Sequence, residues 1–411
     1  MKTYCSKCDK EVEDDVEFCK HCGAKIGTVG EKPDSQAESS EETKEPKIQE
    51  EPVETKEEEP KEPKAPLEEK KSRRGLAVLL IIIGLIFASL SIWYIAAYEN
   101  VDEHRYYTYA PETAPSSLTL EVEMNGGETD IGFTSNKSHP VVYIDHHKKW
   151  QGPVVSQPSF STSSSKVSFD SGTVWGESDS ELTITLRSDV EYTIYVKTSD
   201  GAFSIDSDIP GISFGSFTID TLNGASTLSI SNATISGKIW VTTENGASNF
   251  FLSNCTVQDI DSTAKSGASS IHLTNCTIGN IKSYSHSGGL VISSENLTVT
   301  SDSTWNLKVT KGGIGLGIYQ VKSMGADVTI NAKTEIWRDI DAFFEGDSTN
   351  VRAKFTASVS DGELILLNGS GFEGPVSGTM ESSNYGIEAL DQFFIDLETD
   401  DGDILIDAIN T

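Results

Sequence analysis

Apolar and polar positions follow three successive patterns along the chain. The first 74 residues hold almost no apolar run. From Gly75 to Tyr98, the stretch GLAVLLIIIGLIFASLSIWYIAAY carries no charge and is apolar almost throughout. As a helix rising about 1.5 Å per residue, it slightly exceeds a hydrocarbon core of roughly 30 Å, which predicts a membrane-spanning helix over 75–98. The core helix of a soluble domain would keep a polar face, and a cleaved signal would put a shorter apolar run much closer to the start of the chain. Beyond the span, apolar residues alternate with polar ones: Leu118, Leu120 and Val122; Leu182, Ile184 and Leu186; Tyr192, Ile194 and Val196. A period of two marks half-buried strands, so the outer part is expected to be mainly β.

A longer period lies over the alternation. NGAS at Asn223 returns as NGAS at Asn245, SGAS at Ser266 and SGGL at Ser287, spacing Gly224, Gly246, Gly267 and Gly288 by 22, 21 and 21 residues. Aligned on these glycines, Leu228, Phe250, Ile271 and Ile292 form one apolar column, with Ala233, Cys255, Cys276 and Leu297 a second and Ile235, Val257, Ile278 and Val299 a third. Stacked rungs of a parallel β-solenoid produce such columns, and 221–411 is assigned to one of right-handed type. Asn232, Asn254, Asn275 and Asn296 each open an Asn-x-Thr and are expected at a corner of each rung. Glycans on corners about 4.8 Å apart would crowd one another, which favours an Asn ladder bonded rung to rung. Asn136 and Asn368 lie off this ladder and are the better glycosylation acceptors. Cys255 and Cys276 fall in one inward column, where in-register stacking favours buried free thiols over a disulfide.

Charge orients the span. Lys70, Lys71, Arg73 and Arg74 precede it, while Trp93, Tyr94 and Tyr98 close it and Glu99, Asp102 and Glu103 follow. Basic flanks stay in the cytoplasm, so the N-terminus is expected inside a cell membrane crossed once and the C-terminal part outside. Residues 1–74 carry 15 Lys and Arg against 21 Asp and Glu, and 99–411 carry 17 against 42, which leaves the outer part at −25. Such a field repels nucleic acid.

The inner end reads YCSKCDKEVEDDVEFCKHCGAKIG, a C-x2-C and a second C-x2-C ten residues on. Each pair makes a turn that aims two thiolates at one centre, and two turns supply the tetrahedral sulfur set that Zn2+ prefers. Cys5, Cys8, Cys19 and Cys22 are the expected ligands of a structural Zn2+, which must supply most of the folding free energy of so small a segment. His21, within the second turn, points away. CSKC and CKHCGAKI resemble the short zinc-ribbon domain of many prokaryotic membrane proteins, over about residues 1–27. Five Lys against six Asp and Glu there disfavour nucleic acid and leave protein contact in the cytoplasm, or a structural role. Residues 28–74, rich in Glu, Lys and Pro, cannot repay the entropy of ordering and are expected to be a disordered linker ending in the basic stop. Residues 99–117 are expected to be a stalk, and 118–220 a β-rich leading region of the outer domain.

The stretches ELTITLRSDVEYTIYVKTSDGAFSID and TLNGASTLSISNATISGKIWVTTENGAS resemble the putative-adhesin family of β-solenoid domains, from about Leu118 to a last rung at ETDDGDILIDA. The resemblance implies a surface module that binds a polymer or a protein, and it brings no catalytic residue. Where members carry charges after the repeat glycine, this chain has Ala and Ser. Polysaccharide-cleaving solenoids pair carboxylates across rungs, and Asp259 and Asp261 share a face without an evident acid or base partner, so no enzyme is expected. Asp145, His146, His147 and Lys148 are placed on a loop or edge, because adjacent histidines on a strand face opposite ways. The acidic run Asp396, Glu398, Asp400, Asp401 and Asp403 lacks the glycine position of a calcium loop. The sequence thus favours a displayed binding module, with a transmembrane sensor or scaffold acting through the zinc ribbon as the alternative and an envelope carbohydrate-active enzyme third.

Overall fold

The computed structural model describes residues 73–299, 301–321, 326–336, 338–346, 351–361, 363–368, 372–376, 379–382 and 391–410, with the antiparallel pair Thr3–Tyr4 and Glu11–Val12 near the N-terminus. The chain divides into two compact units, Met1–Lys71 and Ser72–Thr411. The four cysteines expected to hold zinc lie outside the described residues.

The second unit opens with a 25-residue helix, Arg73–Ala97, whose stretch Val78–Ala97 has a mean hydropathy of 2.6 and is not buried in the protein. Its side chains from Val78 onward face outward, as a lipid-facing helix requires. The rest of the unit is a parallel β-solenoid. Each regular rung is a short strand, a corner, a long strand and a second corner, as in Ser226–Ser231 followed by Ala233–Asn245. Short strands stack on short strands and long on long, in register: Leu228 pairs with Phe250, then Ile271, then Ile292. The three columns foreseen from the repeat are buried between the two faces. Each Leu, Ile or Phe buried there contributes roughly 1.5–3 kcal/mol, and the columns supply the core that no single rung could.

The corners explain the repeat. Gly224, Gly246, Gly267 and Gly288 adopt φ between 138° and 159°. A methyl group on any of them would overlap the carbonyl oxygen of the preceding rung's glycine. Only glycine allows the rungs to close up there. The same column extends beyond the four repeats to Gly127, Gly201 and Gly312. At the opposite corner Asn232, Asn254, Asn275 and Asn296 take left-handed φ of 52–57°, a conformation that Asn tolerates better than most residues. Gly211 precedes them in the column at 77° and Gln320 follows at 50°. The Asn254 Nδ2 donates to Asn232 Oδ1 at 3.2 Å, as a ladder would require, but Asn296 Oδ1 has no hydrogen-bond partner, so the expected ladder does not run the length of the column.

Both ends depart from the regular stack. Residues read as a stalk contain the 12-residue strand Tyr98–Tyr109, paired antiparallel along its whole length with Val142–Ser156. At the other end, the segment expected as the last rung is an internal one. Asp391–Thr399 lies between Val328–Ile336 and Val351–Val359, and Ile404–Asn410 between Ile340–Gly346 and Leu364–Asn368. A rung formed earlier in the chain is therefore pushed outward by the later one.

Candidate functional site

On the short-strand face, positions that point outward repeat every second residue, and one rung leaves them empty. In Ile314–Val321 the buried Ile314, Leu316 and Ile318 alternate with Gly315 and Gly317. Gly315 lies between Val291 and Asp341, and Gly317 between Ser293 and Phe343, on the neighbouring rungs. The missing side chains open a groove of about 570 Å³ whose walls include Val291, Tyr319, Asp341, Phe343, Leu405 and Asp407. The Tyr319 ring folds over Gly317, where a Cβ would crowd it, and stacks on Phe343 at 4.6 Å between centroids. Three and two rungs away, Phe251 stacks on His272 at 5.1 Å with their planes 3° apart.

The groove is mostly apolar, with carboxylates at its rim. Asp407, opposite Phe343 in register, keeps a buried Oδ1 with no hydrogen-bond partner. A buried acceptor without a donor costs about 1–3 kcal/mol, which a ligand bringing a hydroxyl or an amine would recover. Aromatic edges, an apolar floor and an unpaired acceptor suit a neutral or basic polymer or peptide, and the excess of acid over residues 99–411 opposes a polyanion. The sequence signal was IGLGIY, in which the alternation continues while the outward side chains vanish.

The other candidate residues are occupied structurally. Asp145, His146, His147 and Lys148 lie in the strand Val142–Ser156, paired on both sides, and not on a loop or edge. They alternate as a strand dictates. Asp145 and His147 face out, where the His104 and His147 rings stack at 4.1 Å and bond Asp145 and Asp102 at 2.9 and 2.6 Å. His146 faces in, unbonded, against Phe169. Lys148 is 1% exposed, donates to Glu99 Oε2 at 2.9 Å and Gln157 Oε1 at 3.2 Å, and lies over the Trp150 ring. Its hydrogen bond holds the Glu99 carboxyl below the usual range.

Asp259 accepts from Asn280 and Asp261 from Lys238. In the acidic run, Glu398 bonds Lys333 at 2.6 Å and Gly402 forms a corner. Burial, with Glu398 beside it, raises the Asp396 carboxyl. Cys255 and Cys276 are buried and not joined by a disulfide, their thiols donating to the carbonyls of Ile230 and Leu252. Asn136 is exposed in a turn closed by its own Oδ1. Among the described residues, no group of three or more His, Cys, Asp and Glu has an arrangement fit for a metal ion.

Comparison with known proteins adds three findings. A zinc-ribbon domain model matches residues 2–26, which contain all four inner cysteines. No curated protein matches the chain. Among solved structures, a putative cell adhesion protein from Clostridium sporogenes aligns with 75% of this chain and 100% of its own at 12% identity and a TM-score of 0.23. A putative adhesin from Bacteroides fragilis aligns with 76% of this chain and 98% of its own at 11% identity and a TM-score of 0.33. Likeness at this level carries no inference about function.

Proposed function

We propose that the chain is a single-pass membrane protein that displays its β-solenoid at the cell surface as a binding, adhesion-like module. The observation that carries this reading is the groove at Gly315 and Gly317, the place where a regular stack gives up side chains and gains a concave, aromatic-edged surface with an unpaired acceptor. Tyr319 and Phe343 supply contact area, and Asp341 and Asp407 accept hydrogen bonds from an extracellular polymer or protein. On the cytoplasmic side, Cys5, Cys8, Cys19 and Cys22 hold a structural Zn2+, and the ribbon so formed contacts a protein partner. No reaction is assigned.

The test uses the full chain in lipid nanodiscs, presented to arrays of cell-envelope polymers and basic peptides. A double variant, Tyr319→Ala with Phe343→Ala, should lose binding by about tenfold or more, the size expected when two contact residues of roughly 1 kcal/mol or more each are truncated. Unchanged binding by that variant would remove the groove from the function. Metal analysis of the purified chain should return one zinc per molecule, retained by the outer-domain variant and lost on Cys19→Ser. Protease added to intact cells should digest the C-terminal unit and spare the ribbon.

A second reading, a transmembrane sensor or scaffold, draws on one observation. The helix Arg73–Ala97 passes into the strand Tyr98–Tyr109 without an intervening residue, so force on the solenoid reaches the helix directly. Under that reading, removal of residues 1–27 abolishes a cytoplasmic response and leaves surface binding intact.

A further inference from the structure

At the helix exit, the outer unit does not stand clear of the helix. The ring of Trp93 meets the ring of Trp175 edge-on, with centroids 5.3 Å apart and planes at 78°. Trp93 lies four residues before the last helical residue, Ala97. At about 1.5 Å per residue, Trp93 sits roughly 6 Å before the helix end, so Trp175 packs alongside the last turns of the apolar span.

The edge that carries Trp175 is rigidly built. Its backbone N–H donates to the Pro153 carbonyl at 2.7 Å, and Pro153 pairs in register with Tyr98. Val154 pairs with Val174. Gly152 and Gly176 bring the two segments into contact, since a methyl on either would overlap a carbonyl of the other segment. The Lys148–Glu99 ion pair, with Gln157 bonded to both residues, fixes the first turn-free residues after the helix to the same strand. Yet the side chains at the tip are left bare: Trp175 is 63% exposed and Val155 53%.

We propose that this edge, residues 152–156 and 173–176, is seated in the headgroup layer of the bilayer, with Trp175 as its anchor. The proposal rests on Arg73–Ala97 spanning the membrane. A ring whose centroid is 5.3 Å from that of Trp93 then lies within that distance of its depth, near the boundary between headgroups and acyl chains. Tryptophan is favoured there because its ring is apolar and its N–H finds polar partners. The occupant is a phospholipid surface because the edge continues the belt already formed by Trp93, Tyr94 and Tyr98 at the end of the span. Glu99 pairs with Gly152 at the margin of the edge, with Asp102 and Glu103 further along the same strand, so anionic lipid is not required and neutral headgroups suffice. The seated edge sets the tilt of the solenoid, and with it the direction in which the groove faces.

The experiment reconstitutes the full chain in phosphatidylcholine vesicles, with and without bromine on the acyl carbons nearest the headgroup, and reads tryptophan fluorescence. Bromine quenches rings that touch it. The lipid-quenched intensity should fall by roughly half on Trp175→Phe, from two rings at the boundary to one. It should not change on Trp240→Phe, a control whose ring is 51% exposed on the long-strand face. Neither change should depend on salt or on anionic lipid. If Trp175→Phe leaves the quenched intensity unchanged, the edge does not touch lipid and the proposal is overturned. It is equally overturned if Trp175 is shielded only at high protein-to-lipid ratio, because a second copy then covers it. If no variant is quenched at all, Trp93 is outside lipid too, and the spanning helix itself fails. Matching thermal transitions for all variants in unbrominated vesicles exclude misfolding.

Discussion

His146 is a neutral imidazole with no hydrogen bond to either ring nitrogen, packed edge-on against Phe169 at 5.3 Å. Burial first, then Arg105, Lys148 and His147, push its pKa down to about 4, with Asp145 opposing. Because the folded value lies below the unfolded 6.5, the unfolded chain takes up a proton first as the pH falls. The contribution is complete above about pH 6.5 and is lost between there and pH 4, roughly 3 kcal/mol in all. Carboxylates held low by cations, Glu99 and Asp189, act in a separate window, since they cost stability only where the unfolded carboxylates begin to protonate. Urea midpoints of the full chain should therefore fall from pH 7 to pH 4.5, and His146→Phe should flatten that limb. An unchanged limb would mean that His146 is charged in the fold. The corner glycines make the opposite kind of demand. Gly246→Ala has to displace the Gly224 carbonyl and should cost about 3 kcal/mol or more. Gly211→Asn, at a left-handed corner with open space, should stay within about 0.5 kcal/mol.

Among the elements, the rung written last in the chain carries more than its position suggests. Asp391–Thr399 and Ile404–Asn410 each pair with a strand on either side, burying Phe393, Ile395, Leu397, Ile404, Ile406 and Ala408. Ending the chain at residue 390 would not trim an end cap. It would unseat Val351–Val359 and Leu364–Asn368 and bare the core of the rung beneath. Such a truncation should lower the thermal midpoint by ten degrees or more, on the order of several kcal/mol, and gain aggregation through the open edge. An equal midpoint would contradict the strand order.

The sequence ETDDGDILIDA reveals a rung because inward and outward residues alternate locally, but strand order is a long-range fact that no local pattern holds. The same limit governs the rest. Gly224, Gly246, Gly267 and Gly288 stood out by even spacing, while Gly201 and Gly312 fill the same column but drift from the period. The strand Tyr98–Tyr109 was hidden because little of it is buried, and YENVDEHRYYTY shows no apolar stripe. Gly315 and Gly317 resemble turn signals until the buried residues between them are seen to keep the strand's alternation.

For the whole molecule, charge sets the balance of forces that remain. Residues 99–411 hold 42 Asp and Glu against 17 Lys and Arg. Several of the lysines are already matched on the surface: Lys197 with Glu123 at 3.0 Å, Lys238 with Asp261 at 2.7 Å, Lys308 with Glu335 at 2.6 Å and Lys333 with Glu398 at 2.6 Å. Each such exposed pair is worth about 0–1 kcal/mol, and salt weakens it. The 25 acids in excess repel one another over distances that salt also shortens, from a screening length of about 30 Å at 0.01 M to about 8 Å at 0.15 M. Packing into a compact solenoid brings those charges closer than in the unfolded chain, so screening favours the fold. Repulsion among the many outweighs attraction within the few. Raising salt from 0.01 to 0.15 M should therefore lift the thermal midpoint of the full chain in neutral nanodiscs. A falling midpoint would show that the surface ion pairs dominate.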